Sequence, residues 1–329
     1  MTLLGYHAAH EQFPPGHLLD CVVTAERAGF ALANCSDHFH PWSAAQGQSG
    51  QSWPWLGASM QATSLPFGVV SAPGYRYHPA ILAQAVATLG EMFPGRFCIA
   101  LGSGEAINEG ITGQAWPDKP ERNARLAECA AIIRALLAGE TVTHRGRVEV
   151  VEARLYTRPA QPVPLFAAAV TPESAAEVAA WADGLLTTTG PIDRIAATIA
   201  AFRDNGGAGK PVQLQHCLSW AATQEAAERE ALDQWFTGAI GGDAAWQLRS
   251  PQQFDALRPI VSADSLKDAV VMSADLHRHA AAIAELMRLD VEAIYLHCVA
   301  RDQHAFIQAF GETVLPQLTT GASHARPTP

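Results

Sequence analysis

Lysine is scarce. Lys119, Lys210 and Lys267 are the only three in 329 residues, and 32 acidic residues stand against 22 basic ones, for a net charge of −10. Nucleic acids and anionic membrane surfaces are gripped by clustered Lys and Arg, so neither partner suits this chain. No run approaches the roughly 20 apolar residues of a membrane helix. The start, MTLLGYHAAH, lacks the basic flank and apolar stretch of a secretory signal. Cys21, Cys35, Cys98, Cys129, Cys217 and Cys298 form no CxxC or metal-like pair, and four of them sit in apolar strand-like runs. They read as buried free thiols in a reducing compartment, which places the protein in the cytoplasm. Histidines are plentiful, yet HExxH and other metal spacings are missing, so no catalytic metal is expected. No GxGxxG follows the first apolar run, which counts against an open dinucleotide-binding sheet.

Apolar residues make up about half of the chain, enough for a sizeable core. Short apolar runs alternate with helical patterns. TLLGYHA, FALANCS, LPFGVVSA, GRFCIALG, PVPLFAAAV, DGLLTTT, KPVQLQHCLSW and VEAIYLHCV read as strands. PGHLLDCVVTAERAG, HPAILAQAVATLGEMF and RNARLAECAAIIRALLAG are the clearest helices. About eight strand–helix units imply a parallel sheet covered by helices and fit a closed (β/α)8 TIM barrel with insertions. One domain over 1–329 is expected. Its insertions are a hairpin near 140–160, turning at Arg145-Gly146, and an irregular stretch at 238–263. The tail TTGASHARPTP reads as frayed.

A barrel of this kind builds its active site from the loops after its strands. Those loops carry the reactive groups. His7, His10 and Glu11 follow the first strand, and Ser36, Asp37, His38, His40 and Trp42 the second. Ser71, Tyr75, Arg76 and His78 follow the third, and Ser103, Glu105, Asn108 and Glu109 the fourth. The seventh and eighth strands end at His216 and His297. The concentration of acid/base groups at one barrel end favours an enzyme over a binding scaffold. Taken singly, Asp37 also fits a helix N-cap, and His216 and His297 fit core histidines bonded to a carbonyl. GSGE (102–105) fits a plain turn or a backbone cradle for an anion.

Together these segments resemble the bacterial luciferase-like superfamily of flavin and deazaflavin oxidoreductases. The similarity is strongest to the branch of coenzyme F420-dependent glucose-6-phosphate dehydrogenases. Its SDHFxPW, RYxPA and GxGEAxNE motifs stand here as Ser36–Trp42, Arg76–Ala80 and Gly102–Glu109, and Glu11-Gln12-Phe13 also matches. The resemblance implies roles. His38 would be the acid/base residue facing the substrate oxygen, and Glu105 a second proton-transfer or stabilising group. Trp42 would wall the pocket beside the ring. Asp37 would help hold the cofactor and pair with His38. Val69, Val70, Ala72, Gly104, Glu105, Asn108, Ala168, Ala169, Val170 and Thr171 would border the cofactor, with a cis peptide between Val69 and Val70. Relatives of this kind are usually homodimers. The roles also make physical sense: hydride transfer from a carbinol carbon must be coupled to proton movement on oxygen, which suits histidine.

Departures from the pattern bear on substrate and cofactor. The cations that hold the sugar phosphate in the glucose-6-phosphate enzymes align with Pro191, Phe254 and Ala269, so a small organic substrate other than glucose 6-phosphate is expected. The family's glycine pair near the cofactor phosphate is Val170-Thr171. A sister group assigned an ordinary flavin shares HEQFPP, CSDHFHPWSxxQGQSG and EARLYTRP with this chain. FMN is therefore favoured slightly over coenzyme F420. An F420-dependent sugar or alcohol dehydrogenase, an FMN-dependent monooxygenase and a non-catalytic flavin-binding protein are the alternatives. A metal hydrolase using His38, His40, His216 and His297 is a more distant one. Trp53, Trp55, Trp235 and Trp246 hint at an apolar substrate or a dimer interface.

Overall fold

A computed structural model describes residues 2–242 and 245–321. Eight parallel strands close on themselves: β1 (Leu3–Ala8), β2 (Leu32–Cys35), β3 (Phe67–Ser71), β4 (Phe97–Leu101), β7 (Leu165–Ala168), β8 (Gly184–Thr188), β9 (Val212–Ser219) and β11 (Ala293–Cys298). They follow the order β9-β11-β1-β2-β3-β4-β7-β8, and β8 pairs back onto β9. Helices follow the strands, so the expected (β/α)8 barrel is the fold. Outside the barrel order stand the hairpin β5 (Val142–Arg145) and β6 (Glu149–Ala153), at the expected place, and short helical turns at 236–266. The two-residue strand β10 (Val271–Met272), which the sequence did not announce, edges β9. The end of the chain, 322–329, lies outside the described residues. No helix among the described residues is long and apolar enough to cross a membrane.

Period-2 alternation decides what faces the lumen. Leu32, Ala100, Phe166, Leu186, Ala293 and Tyr295 pack together as an inner layer. The alternate residues (Leu4, Tyr6, Ala33, Val69, Ile99, Leu165, Leu214 and Leu296) join the larger core beneath the helices. Gly5 is required by this packing, because a Cβ there would lie 2.7 Å from the Tyr295 ring and 2.9 Å from the Leu32 side chain. Proline starts the helices Pro15–Arg27, Pro79–Met92 and Pro172–Val178, where its missing N–H costs nothing.

Residues named for the cofactor divide between the two layers. Val69 and Ala169 join the core beneath the helices, with Val69 also bordering the small inner cavity, and Val70 and Ala168 pack on the inner layer. His216 turns outward too, to the helix layer beside His279. Burial there lowers its pKa to about 3. The Val69–Val70 peptide is trans, and no cis bond occurs among the described residues. The ladder runs regularly through that point, with Val69 opposite Ile99 and Val70 opposite Ala100. Trp53 and Trp55 pack edge-on against Phe97 and Phe67, so they fill the helix–sheet layer and do not shape a pocket. All six cysteines are free, and all but Cys98 are fully buried.

Candidate active site

The loop after β2 carries His38 to the barrel mouth, where it stands between two carboxylates. Its Nδ1 lies 3.5 Å from Glu11 Oε1 and its Nε2 lies 3.6 Å from Glu105 Oε2. Glu11 comes from the loop after β1. Ser36 Oγ donates to its other oxygen, and the Gln48 N–H donates to its carbonyl. Glu105 precedes the short helix Ala106–Glu109, and Asn108 Nδ2 donates to it at 3.0 Å. Burial would raise the Glu11 pKa, but the neighbouring His38 and the Ser36 hydroxyl outweigh it and hold the carboxyl below its ordinary range. Burial pushes Glu105 above that range; His38 opposes the rise and Glu11 adds to it. Two carboxyls pushed apart on either side of one imidazole form an arrangement suited to acid/base work.

Asp37 does not pair with His38. Its Oδ2 accepts from Ser71 Oγ at 2.6 Å, and its Oδ1 from Tyr77 at 3.2 Å and Arg76 Nη1 at 3.4 Å. Arg76 Nη2 also donates to the Asp37 carbonyl, and the Arg76 N–H donates to Glu109. The side chain of Asp37 has no exposed surface. Its geometry is that of an anchor that fixes the β2 loop to the β3 loop and so sets the position of His38. Burial lifts the Glu109 carboxyl to about 7, although the Arg76 guanidinium opposes the shift.

His40 also has a defined task. Its ring donates to the Ile107 carbonyl at 2.7 Å, and the backbone N–H groups of Phe39 and His40 donate to Asn108 Oδ1. The β2 loop is thereby bound to the β4 loop. The Trp42 ring centroid lies 5.0 Å from that of His38. Phe254 meets the Trp42 ring edge-on at 5.4 Å. Ile107, Phe236 and Phe254 form an apolar cluster that Trp42, Ile240, Leu248 and Val261 extend. Arg258 lies over the Phe236 ring at 5.6 Å.

Beside these groups opens a cavity of about 390 Å³ lined by His38, Phe39, Ser49, Gln51, Arg76, Tyr77 and Ile111. Toward β4 and β7 the strand ends become small. Gly104 has φ +80°, and a Cβ on it would fall 2.8 Å from Glu109 Cγ and 3.3 Å from Ala72. Gly102 faces Ala168, and Val170 and Thr171 are half-buried at the edge. This corner presents only small side chains, with Ala72 and Ala168 beside it, and glycine at 104 leaves room for Glu109, Ala72 and the Trp116 ring.

Deeper in the lumen, His297 is a satisfied core histidine. Its Nε2 donates to Gln12 Oε1, its Nδ1 accepts from Gln215, and burial holds its pKa well below the ordinary value. His7 bonds Asn34, and its ring lies tilted against that of His297 with centroids 4.4 Å apart. His38, His40, His216 and His297 therefore do not converge on one point, which removes the basis for a four-histidine hydrolase. The sequence named Glu11 and Arg76 among the strand-end groups without giving them a role. The available signal was EQF for Glu11 and RYxPA for Arg76.

Residues 2–292 match the family described as luciferase-like monooxygenase. An F420-dependent glucose-6-phosphate dehydrogenase of Nakamurella multipartita is 34% identical over 325 residues, covering 95% of this chain and 96% of its own. The enzyme of the same description from Beutenbergia cavernae is also 34% identical, over 97% of this chain and 98% of its own. Among solved structures, an F420-dependent secondary alcohol dehydrogenase in complex with an F420-acetone adduct superposes with a TM-score of 0.88. It shares 29% identity, over 96% of this chain and 99% of that one. A monooxygenase from Streptomyces bottropensis shares the fold at a TM-score of 0.71, with 18% identity over 96% and 99% of the two chains.

Proposed function

The chain belongs to the luciferase-like monooxygenase family of F420- or flavin-dependent oxidoreductases, and from that premise we propose that it interconverts a small uncharged secondary alcohol and its ketone with coenzyme F420. The observation that carries the reading is His38, set between Glu11 and Glu105 with the Trp42 ring beside it and Phe254 packed on Trp42. Ala72, Gly104, Ala168 and the Val170-Thr171 edge would border the cofactor. Bound there, F420 supplies the hydride acceptor or donor. The chain's own part is proton management. His38 Nε2 takes the hydroxyl proton as the carbinol C–H bond breaks, and returns it to the carbonyl oxygen in the reverse direction. Glu11 holds the imidazole from its Nδ1 side. Glu105, with its raised pKa, accepts or supplies the proton at Nε2. Trp42 and Phe254 keep water away.

The apolar cluster supports an uncharged substrate over a sugar phosphate. Phe254 is buried and Pro191 caps a helix at the positions aligned with phosphate-binding cations. A phosphate dianion without cationic partners loses most of its recognition. Relatives above 30% identity that span nearly the whole chain support F420, against the slight lean to FMN drawn from the sequence. Val170-Thr171 favours FMN as the second reading.

The test titrates apo protein with F420 and FMN in parallel. It then assays small secondary alcohols and glucose 6-phosphate with whichever cofactor binds. F420 binding with turnover of the alcohols is expected, and His38→Asn and Glu105→Gln should cut turnover by about 10² or more without loss of binding. Binding of neither cofactor, or turnover of glucose 6-phosphate alone, overturns the reading.

A further inference from the structure

We propose that His17, Cys21 and His304 form a zinc site that clamps the helix after the first barrel strand to the helix after the last. His17 and Cys21 stand one turn apart on the helix Pro15–Arg27, so both face the same neighbour. That neighbour is the helix Gln303–Ala309, which presents His304 in its first turn. One ligand atom from each of the three side chains lies within 4.8 Å of the others, and no other such group of three occurs among the described residues. His17 Nε2 is 3.4 Å from Cys21 Sγ, and the His17 and His304 rings meet edge to face with centroids 5.3 Å apart.

A tetrahedral zinc, with bonds of about 2.3 Å to sulfur and 2.0–2.1 Å to nitrogen, sets N and S about 3.6 Å apart and two nitrogens about 3.3 Å apart. The His17–Cys21 pair already has that spacing. His304, on the surface, completes it with a rotamer adjustment of at most about 1.5 Å. Two imidazoles and a thiolate select zinc over magnesium or calcium. When zinc binds, Cys21 gives up its thiol proton to solvent and forms the Zn–S bond, and water takes the fourth position. Phe13 backs the cluster with its ring 5.4 Å from that of His17. The clamp lies outside the barrel mouth, at the seam where β1 pairs β11. There Tyr6 already bonds Gln303, the residue before His304. The site therefore joins the two ends of the barrel. It is separate from the catalytic metal that the sequence argues against, and its H-x3-C spacing mixes two ligand types that neither cysteine pairs nor histidine pairs reveal.

The test uses full-length protein without a histidine tag, stripped with a chelator and titrated with Zn²⁺ and, separately, with Co²⁺. One equivalent of either ion should bind, and the cobalt form should show a thiolate-to-metal charge-transfer band. Zinc at 100 times its Kd should raise Tm by about 4 °C. His304→Ala, a surface change, and Cys21→Ser should each lose the cobalt band and the Tm rise. The metal-free Tm of His304→Ala should match that of the metal-free wild type, which shows that the variant folds. Sub-stoichiometric zinc binding, a cobalt spectrum without the thiolate band, or His304→Ala binding zinc as tightly as the wild type would each overturn the proposal.

Discussion

Replacing Glu11 with Gln tests the least expected member of the site. The change keeps shape and leaves an oxygen to accept from Ser36, so the fold should hold. It removes one negative charge 3.5 Å from His38 Nδ1. Between unit charges at that distance the interaction is about 1 kcal/mol with full water screening and about 5 kcal/mol at an effective dielectric of 20. The side chains of His38 and Glu11 are only 14% and 4% exposed, so water screens them partly and the value falls between these limits. A loss of about 2.7 kcal/mol of stabilisation for the positive charge that develops on His38 corresponds to about a 100-fold fall in kcat. Glu11 lines neither the small-residue corner nor the apolar wall, so cofactor affinity and substrate KM should change little. The assay is steady-state turnover beside a fluorescence titration of the cofactor. A kcat within threefold of wild type, or a cofactor Kd weakened more than tenfold, would refute the charge argument.

Three further outcomes are expected. Phe254→Ala empties a buried ring position beside Trp42; it should cost about 3–5 kcal/mol of stability in denaturant melts and raise KM for an apolar alcohol more than kcat falls. Gly104→Ala places a Cβ at φ +80° against Glu109; the backbone strain of about 1–2 kcal/mol and the crowding should weaken cofactor binding at least tenfold by titration. Glu109 carries a sign-specific pH signature. Its pKa rises from an ordinary 4.5 to about 7 on folding, so the folded chain holds that proton more tightly. The resulting stability is fully present below about pH 4.5 and is lost as pH rises through about 7, to an extent of about 3 kcal/mol. Glu109→Gln, neutral throughout, should therefore flatten the fall in Tm between pH 5 and 8, and parallel curves for the two proteins would contradict the assignment.

The sequence by itself determined the barrel, its strand ends and the His38–Trp42 and Gly102–Glu109 loops. Alternating apolar periods and Pro-led helices are local signals, and the loops after the strands have nowhere to gather except one mouth. It could not say which partner His38 would take. Asp37 is adjacent in the chain, but adjacent residues in an extended loop point apart, and its carboxylate turned to Ser71, Tyr77 and Arg76. Only strand order and register brought Glu11 and Glu105, from the loops after β1 and β4, to the two nitrogens of one imidazole. Register also sorted Val70 from Val69, Ala168 from Ala169 and His297 from His216, because a single step along a strand exchanges the lumen for the helix layer. The meeting of His17 and Cys21 with His304 is likewise a product of closure: those helices lie nearly the whole chain apart and are neighbours because β11 returns to pair with β1.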